Sequence, residues 1–403
     1  MEPFPNPFRP GAGQPPPYLA GREHERIEFK NLLNQQPILK NVLITGLRGV
    51  GKTVLLESLK PIASENGWFW AGNDLSESSS ISEESLALRI ITDISTLVSS
   101  FTIGEKEIKK IGFNAPIEKV DLKLNFATLT QIYQSTPGLV TDKLKNLLDV
   151  VWQIVSINTK VKGIVLAYDE AQILKDKAQE KQYPLSLLLE VIQYLQRREI
   201  PYLLVLTGLP TLYPNLIEAR TYAERMFTII TLEKLSDEES KKAIQNPIKK
   251  VKDCPVTFSE YGISEIIKYS NGYPYFIQFI CKEFFDTYLQ QIKLGIEHPV
   301  VTIVEFVKRL DTDFYAGRWG RVTERQKELL IIIAQLPNAN DEFSNKEIVD
   351  NSIILNNEFK TAQVNNMLTA LIDAGLVFKN RRSKYSFAIP LLADYIKRQG
   401  LEQ

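Results

Sequence analysis

Two periods of apolar residues run through the first half of the chain. Val42-Leu43-Ile44 is a short, β-branched apolar run, the pattern of a strand buried on both faces. Runs of the same kind lie at 68–71, 164–168, 203–207 and 227–231. Between them, apolar residues recur at helical spacing over about 23–34, 52–65, 82–99, 139–157 and 184–198. Strands alternating with amphipathic helices predict an α/β core whose parallel sheet is covered on both faces. Residues 101–138 break this rhythm. Val120, Leu122, Leu124 and Phe126 alternate with Asp121, Lys123 and Asn125, and Ile111, Phe113 and Ala115 alternate before Pro116. That pattern predicts an inserted hairpin. It either packs on the edge of the core or meets a neighbour or nucleic acid.

From Ser236 the pattern turns helical, with helices predicted near 236–250, 259–270, 273–293 and 302–316. Ser236 with Glu239 and Thr302 with Glu305 read as capping boxes. A further unit starts near Thr323, which with Gln326 caps another helix, and Ser344 with Glu347 caps a short one. A helix over about 359–374 ends at Gly375. Strand-like runs at 376–379 and 385–388 follow, with Asn380 to Lys384 turning between them. Three helices and a hairpin describe a winged helix. Residues 1–17 hold seven prolines together with Phe4 and Phe8. This stretch is either a disordered tail or an extended arm strapped down by its two phenylalanines. The chain therefore divides into an arm at 1–17, an α/β core at 18–235, a helical lid at 236–320 and a winged helix at 321–403.

Composition narrows the partners. A chain of 403 residues suits two or three domains. Lys+Arg and Asp+Glu both number 48, so any contact with DNA must come from a local patch. Cys254, Cys281, His24 and His298 are too few for a disulfide framework or a zinc site. No leader is evident and no run of eighteen apolar residues occurs, so a soluble, cytoplasmic chain without a membrane partner is expected.

The chemistry lies between the first strand and the helix after it. Gly46-Leu47-Arg48-Gly49-Val50-Gly51-Lys52-Thr53 fits G-x-x-x-x-G-K-[ST], and Val54 leads into the helix. Glycines let backbone N–H groups curl around a polyphosphate, and a helix N-terminus adds positive potential. Lys52 would reach the β- and γ-phosphates, and Thr53 would place its hydroxyl on Mg2+. Residues 164–170, Ile-Val-Leu-Ala-Tyr-Asp-Glu, form an apolar strand ending in two acids. Asp169 would hold the metal shell and Glu170 would orient or deprotonate the attacking water. Thr207, ending another apolar run, could touch the γ-phosphate or that water.

At these motifs the chain resembles the AAA+ P-loop ATPases of the origin-initiator-like and STAND (signal-transduction NTPase) group. Residues 19–25, Leu-Ala-Gly-Arg-Glu-His-Glu, are similar to that group's hhGRxxE motif, which puts Arg22 by the nucleotide base. Gly46–Thr53 is similar to Walker A, 164–170 to Walker B, and Thr207 stands at the sensor-1 place. Residues 219–227 resemble the segment before the fifth strand, which implies Arg225, or else Arg220, as an arginine finger on a neighbour's ATP. Residues 270–274, Ser-Asn-Gly-Tyr-Pro, are similar to the lid's GxP motif, with Pro274 near the adenine. One departure is the absence of an arginine just after Gly272, where initiator ATPases often carry one. The resemblance implies ATP/ADP and Mg2+ as cofactors, a nucleotide-dependent homo-oligomer, slow hydrolysis and a separate effector protein. Its settings include prokaryotic defence, mobile elements and replication-like loading.

The winged helix leaves two readings. Lys379, Arg381, Arg382 and Lys384 cluster in the wing, and Lys397 and Arg398 follow. Such a wing can lie along the phosphates of duplex DNA. The recognition helix offers Thr361, Gln363, Asn365 and Asn366 but only Lys360 as a cation, which suits a packing or partner role instead. The expected function is an ATP-driven switch. The alternatives are a DNA-binding initiator or loader, and a nucleotide-bound scaffold with negligible hydrolysis.

Overall fold

The computed structural model describes residues 4–11, 13–109, 117–381 and 383–401. They form two compact units. The first comprises His24–Thr45 and Leu55–Thr231; the second comprises Met1–Glu23, Gly46–Val54 and Leu232–Gln403.

The first unit is built on a sheet of β1 (Asn41–Gly46), β2 (Trp68–Ala71), β5 (Gly163–Tyr168), β6 (Tyr202–Gly208) and β7 (Phe227–Leu232), in the order β2-β5-β6-β1-β7. The registered pairs are parallel: Val42 faces Val205, Trp70 faces Val165 and Leu166 faces Leu204. Burial explains the sequence pattern. The central strands β1, β5 and β6 are buried at every residue, so each reads as an unbroken apolar run. The edge strand β7 shows partly exposed positions, Ile229 among them.

Helices α1 (Glu23–Leu33), α2 (Lys52–Glu65), α3 (Glu77–Ser80) and α4 (Glu83–Val98) precede a hairpin of β3 (Thr102–Lys109) and β4 (Ile117–Lys123). Then come α5 (Phe126–Ser135), α6 (Val140–Asn158), α7 (Pro184–Arg197), α8 (Leu212–Ala219) and α9 (Ala223–Met226). Ile90, Ile94, Leu147, Leu148, Val151, Leu188 and Ile192 fill the core of this unit with the sheet residues. The expected hairpin at 101–138 is present but shorter. Asn125 adopts extended backbone and its side chain accepts from Thr128 N, so Phe126 starts a helix instead of continuing the strand. Ile111, Phe113 and Ala115 lie outside the described residues.

The second unit gathers α10 (Asp237–Lys249), α11 (Glu260–Ser270), α12 (Pro274–Lys293) and α13 (Ile303–Leu310). A π-helical turn, Asp311–Ala316, joins α13 to the short α14 (Gly317–Trp319). Next come α15 (Glu324–Ala334), β8 (Phe343–Ser344), α16 (Asn345–Ile354), α17 (Thr361–Asp373), β9 (Val377–Arg381), β10 (Lys384–Phe387) and α18 (Leu392–Leu401). The small strands form a sheet in the order β8-β10-β9. One continuous core runs through the unit, from Ile277, Ile280 and Phe285 to Leu330, Ile333, Leu368 and Leu371. The reciprocal caps at Thr323 and Ser344 form as expected. That at Thr302 does not: its side chain makes no capping bond. Ser236 caps Glu239 N through its hydroxyl. β9 reaches Arg381 and β10 begins at Lys384, so both strands extend into the 380–384 stretch that the sequence pattern assigns to a turn. Among the described residues no helix is long and apolar enough to cross a membrane.

Of the two readings of the arm, the strap is the one observed. Phe8 is 2% exposed and meets the Phe258 ring edge-on at 6.0 Å. Asn6 Nδ2 donates to Lys282 O and Asp286 Oδ1, Arg9 N donates to Gln278 Oε1, and Lys250 Nζ donates to Pro17 O. Phe8→Ala removes the anchor and leaves a cavity, so it is expected to destabilise the protein by about 3 kcal/mol. Urea unfolding should show a lower midpoint, with Phe8→Leu recovering most of the loss.

Candidate nucleotide site

β1 runs directly into the glycine loop. Gly49 and Gly51 have φ of +80° and +92°, a region that L-residues with side chains rarely adopt. A turn in which such residues alternate with ordinary ones can aim successive N–H groups to one side and form an anion-binding concavity. At Gly51 a Cβ would meet no atom within 4 Å, so conformation rather than crowding calls for glycine there. α2 begins at Lys52 with no acid in its first turn, so its N-terminal potential stays positive. Lys52 is 8% exposed and its Nζ donates to Gly46 O and Leu47 O, both at 3.0 Å. The ammonium is thereby held inside the loop. These features fit a polyphosphate.

Neighbouring segments of the same unit hold the loop. Arg22 Nη2 donates to Val50 O (3.2 Å) and Glu233 O (2.8 Å), and Arg22 Nη1 to Gly21 O. Arg22 therefore clamps the loop's own backbone. Tyr275 N donates to Gly49 O at 3.2 Å. Pro274 opens α12 at its first position, where a missing N–H costs nothing. The strapped arm passes close by: a Cβ on Gly13 would stand 3.2 Å from Thr53 Cγ2.

The paired acids end β5 in the sheet unit. Asp169 is 2% exposed; its Oδ1 accepts from Glu170 N at 2.7 Å and from the Thr207 hydroxyl. Glu170 has φ +54°, an uncommon left-handed conformation for a residue with a side chain. Gln172 Nε2 donates to Glu170 Oε2, while Gln172 Oε1 accepts from Leu209 N at 3.0 Å. Thus Asp169, Glu170 and Thr207, distant in sequence, come together. Among the described residues no cluster of three or more His, Cys, Asp or Glu is arranged to hold a metal ion by itself.

Residues 18–206 match the family described as AAA ATPase domain, and residues 312–396 match a domain of unknown function (DUF8462). No curated protein matches the chain. Among solved structures, the Walker-type ATPase of Pyrococcus abyssi is similar with a TM-score of 0.56 at 16% identity, over 94% of this chain and 96% of that one. The Aeropyrum pernix ORC2 protein in its ADP form gives 0.56 at 14% identity, over 98% of both chains. Its ADPNP–ADP complexes give 0.52 at 14% identity, over 98% of both. The fold is that of an AAA+ P-loop ATPase.

The AAA+ core holds two acids-and-amide partners that the sequence pattern did not mark. Asp74 follows β2 and bridges to Asp169. Its carboxyl is pushed up from the usual range, first by burial and then by the negative Asp169 and Glu170. Gln172 is the other. The available signal was position: in parallel sheets, loops at the carboxyl ends of neighbouring strands converge on the ligand side. The two candidate finger arginines differ. Arg220 pairs with Glu190 at 3.3 Å, whereas Arg225 is exposed and makes no ion pair among the described residues.

The β9–β10 hairpin and α18 keep less free charge among the described residues than the sequence suggests. Lys379 is exposed and unpaired among the described residues, but Lys384 lies 3.5 Å from Glu347. Arg398 is bound by Asp311 in a two-bond pair, so it is removed from any basic face. The Arg381 side chain and Arg382 lie outside the described residues. Gln363 is engaged by Lys360 N and Asn365 by Asn345, which leaves fewer free groups on α17.

Proposed function

We propose that the chain is an ATP-binding, slowly hydrolysing switch of the STAND kind, whose nucleotide state sets the position of its lid and winged helix. The observation that carries this reading is Lys52, buried and fixed by two loop carbonyls at the start of a helix, beside two glycines of positive φ. Loop amides and Lys52 would hold the phosphates. Thr53 and Asp169 are the groups assigned to Mg2+, which when bound would screen phosphate charge. Glu170 orients or deprotonates the attacking water, with Gln172 and the Asp169–Thr207 contact fixing the acids. Slow turnover accords with a lid that follows Gly272 with Tyr273-Pro274-Tyr275-Phe276 and no arginine. Exposed Arg225 suits a finger offered to a second copy, because an arginine supplied across an interface can stabilise transition-state charge. Output would then pass to a separate effector.

The second reading, an initiator or loader acting on duplex DNA, is favoured by exposed Lys379 on the β9–β10 hairpin. Sizing the purified protein with Mg2+ and ADP, or with a slowly hydrolysed ATP analogue, separates the readings. The switch predicts a larger species with the analogue alone. Growth only when duplex DNA is also present supports the loader, and failure to bind adenine nucleotide defeats both.

A further inference from the structure

Three arginines gather beside the glycine loop and none forms an ion pair among the described residues, although Asp313 acts on Tyr275 nearby. Arg48 is part of the loop, and its Nη1 stands 3.9 Å from the place a Cβ on Gly375 would take. Gly375 is the turn between α17 and β9. Arg318 and Arg321 come from the segment around α14. None of the three makes an ion pair among the described residues.

Arg318 is placed by aromatic packing that starts at the loop. Tyr275, whose N–H holds Gly49 O, lies 5.3 Å from the Phe314 ring. Arg318 sits 4.8 Å over that same ring and its Nη1 donates to Phe314 O. The remaining guanidinium N–H groups have no protein acceptor among the described residues. Burial and the like charges of Arg48 and Arg321 lower its pKa from the ordinary arginine value; the Tyr275 and Tyr315 hydroxyls act the other way. A half-buried guanidinium repelled by two others is unfavourable unless an anion joins it.

The segment bearing Arg318 is also tied to the end of the chain. Asp311 of the π-helical turn holds Arg398 of α18, and Tyr315 stacks on Tyr395 at 4.9 Å and donates to Pro390 O. Movement of Arg318 would therefore move with α18.

We propose that Arg318, with Arg48 beside it, takes the terminal phosphate of a bound nucleoside triphosphate, so that triphosphate and not diphosphate secures the α14–α18 segment against the glycine loop. The cluster supplies from the C-terminal side the positive charge missing after Gly272. This rests on the loop being a nucleotide site, as proposed above.

The test is equilibrium titration of the full chain with fluorescent ADP and with a fluorescent, slowly hydrolysed ATP analogue. Arg318→Gln should weaken the triphosphate about tenfold, the scale of one charge-assisted hydrogen bond, and leave ADP within about twofold. Arg318→Met, which keeps the packing on Phe314, should do the same, and Arg318→Lys should recover part of the loss. Equal weakening of both nucleotides would mean a structural role and overturn the inference. So would unchanged binding of both, or a loss confined to duplex DNA. If the wild-type chain binds neither nucleotide, the nucleotide reading itself falls, and this inference with it.

Discussion

Lys52→Ala is expected to weaken binding of a fluorescent ATP analogue by at least about a hundredfold, corresponding to roughly 3 kcal/mol of lost charge-assisted contact. In the structure the ammonium is held by Gly46 O and Leu47 O, so it is fixed before any ligand arrives. Alanine leaves the loop its backbone amides and removes the buried ammonium within it. The circular dichroism of the variant should match wild type, because the ammonium is bound by loop carbonyls at the start of α2 and alanine favours a helix there. Lys52→Arg should not rescue binding, since a planar guanidinium does not fit the space of a compact ammonium. Wild-type affinity in Lys52→Ala would mean that the phosphates are held elsewhere.

Glu170→Gln should separate binding from turnover. Steady-state hydrolysis is expected to fall by about 10²- to 10⁴-fold, the usual contribution of a positioned general base. Affinity for the ATP analogue should stay within a few-fold of wild type. Glutamine keeps the shape and an acceptor for Gln172 Nε2, so the left-handed turn at φ +54° should persist. It cannot accept a proton from water. Turnover equal to wild type would remove Glu170 from the catalytic role and direct attention to Asp74, the third acid beside it. Asp74→Asn, which keeps the strand bridge, is then the informative comparison.

Much of this site was readable from the chain because its signals are local. A strand buried on both faces must be apolar throughout, which marked β1, β5 and β6 within one or two residues. The glycine loop is eight consecutive residues, and the acids follow their strand directly. Local signals failed where a competing local preference or a distant partner decided the outcome. Asn125 as a helix cap overrode the two-residue alternation that extended a strand through Phe126. The two-residue β8 exists only because Phe343 and Ser344 pair with Tyr385 and Lys384. α18 was not anticipated either, although Leu392, Ala393, Tyr395 and Ile396 are buried. Asp74, Gln172 and Arg318 acquire their surroundings from residues far away in sequence, and no spacing rule reports such meetings. Arg398 shows the converse: in the sequence it is a further cation after the wing cluster, yet Asp311 pairs with it.

The backbone passes from one compact unit to the other four times, after residues 23, 45, 54 and 231. Severing the chain near position 232 would therefore strand the nine-residue Gly46–Val54 segment in the amino-terminal piece, without Tyr275 and Glu233, whose backbone groups brace it. Neither piece alone should then grip a nucleotide, however well each folds. The two units are interleaved in the linear order, so no single cut of the chain can release one of them whole.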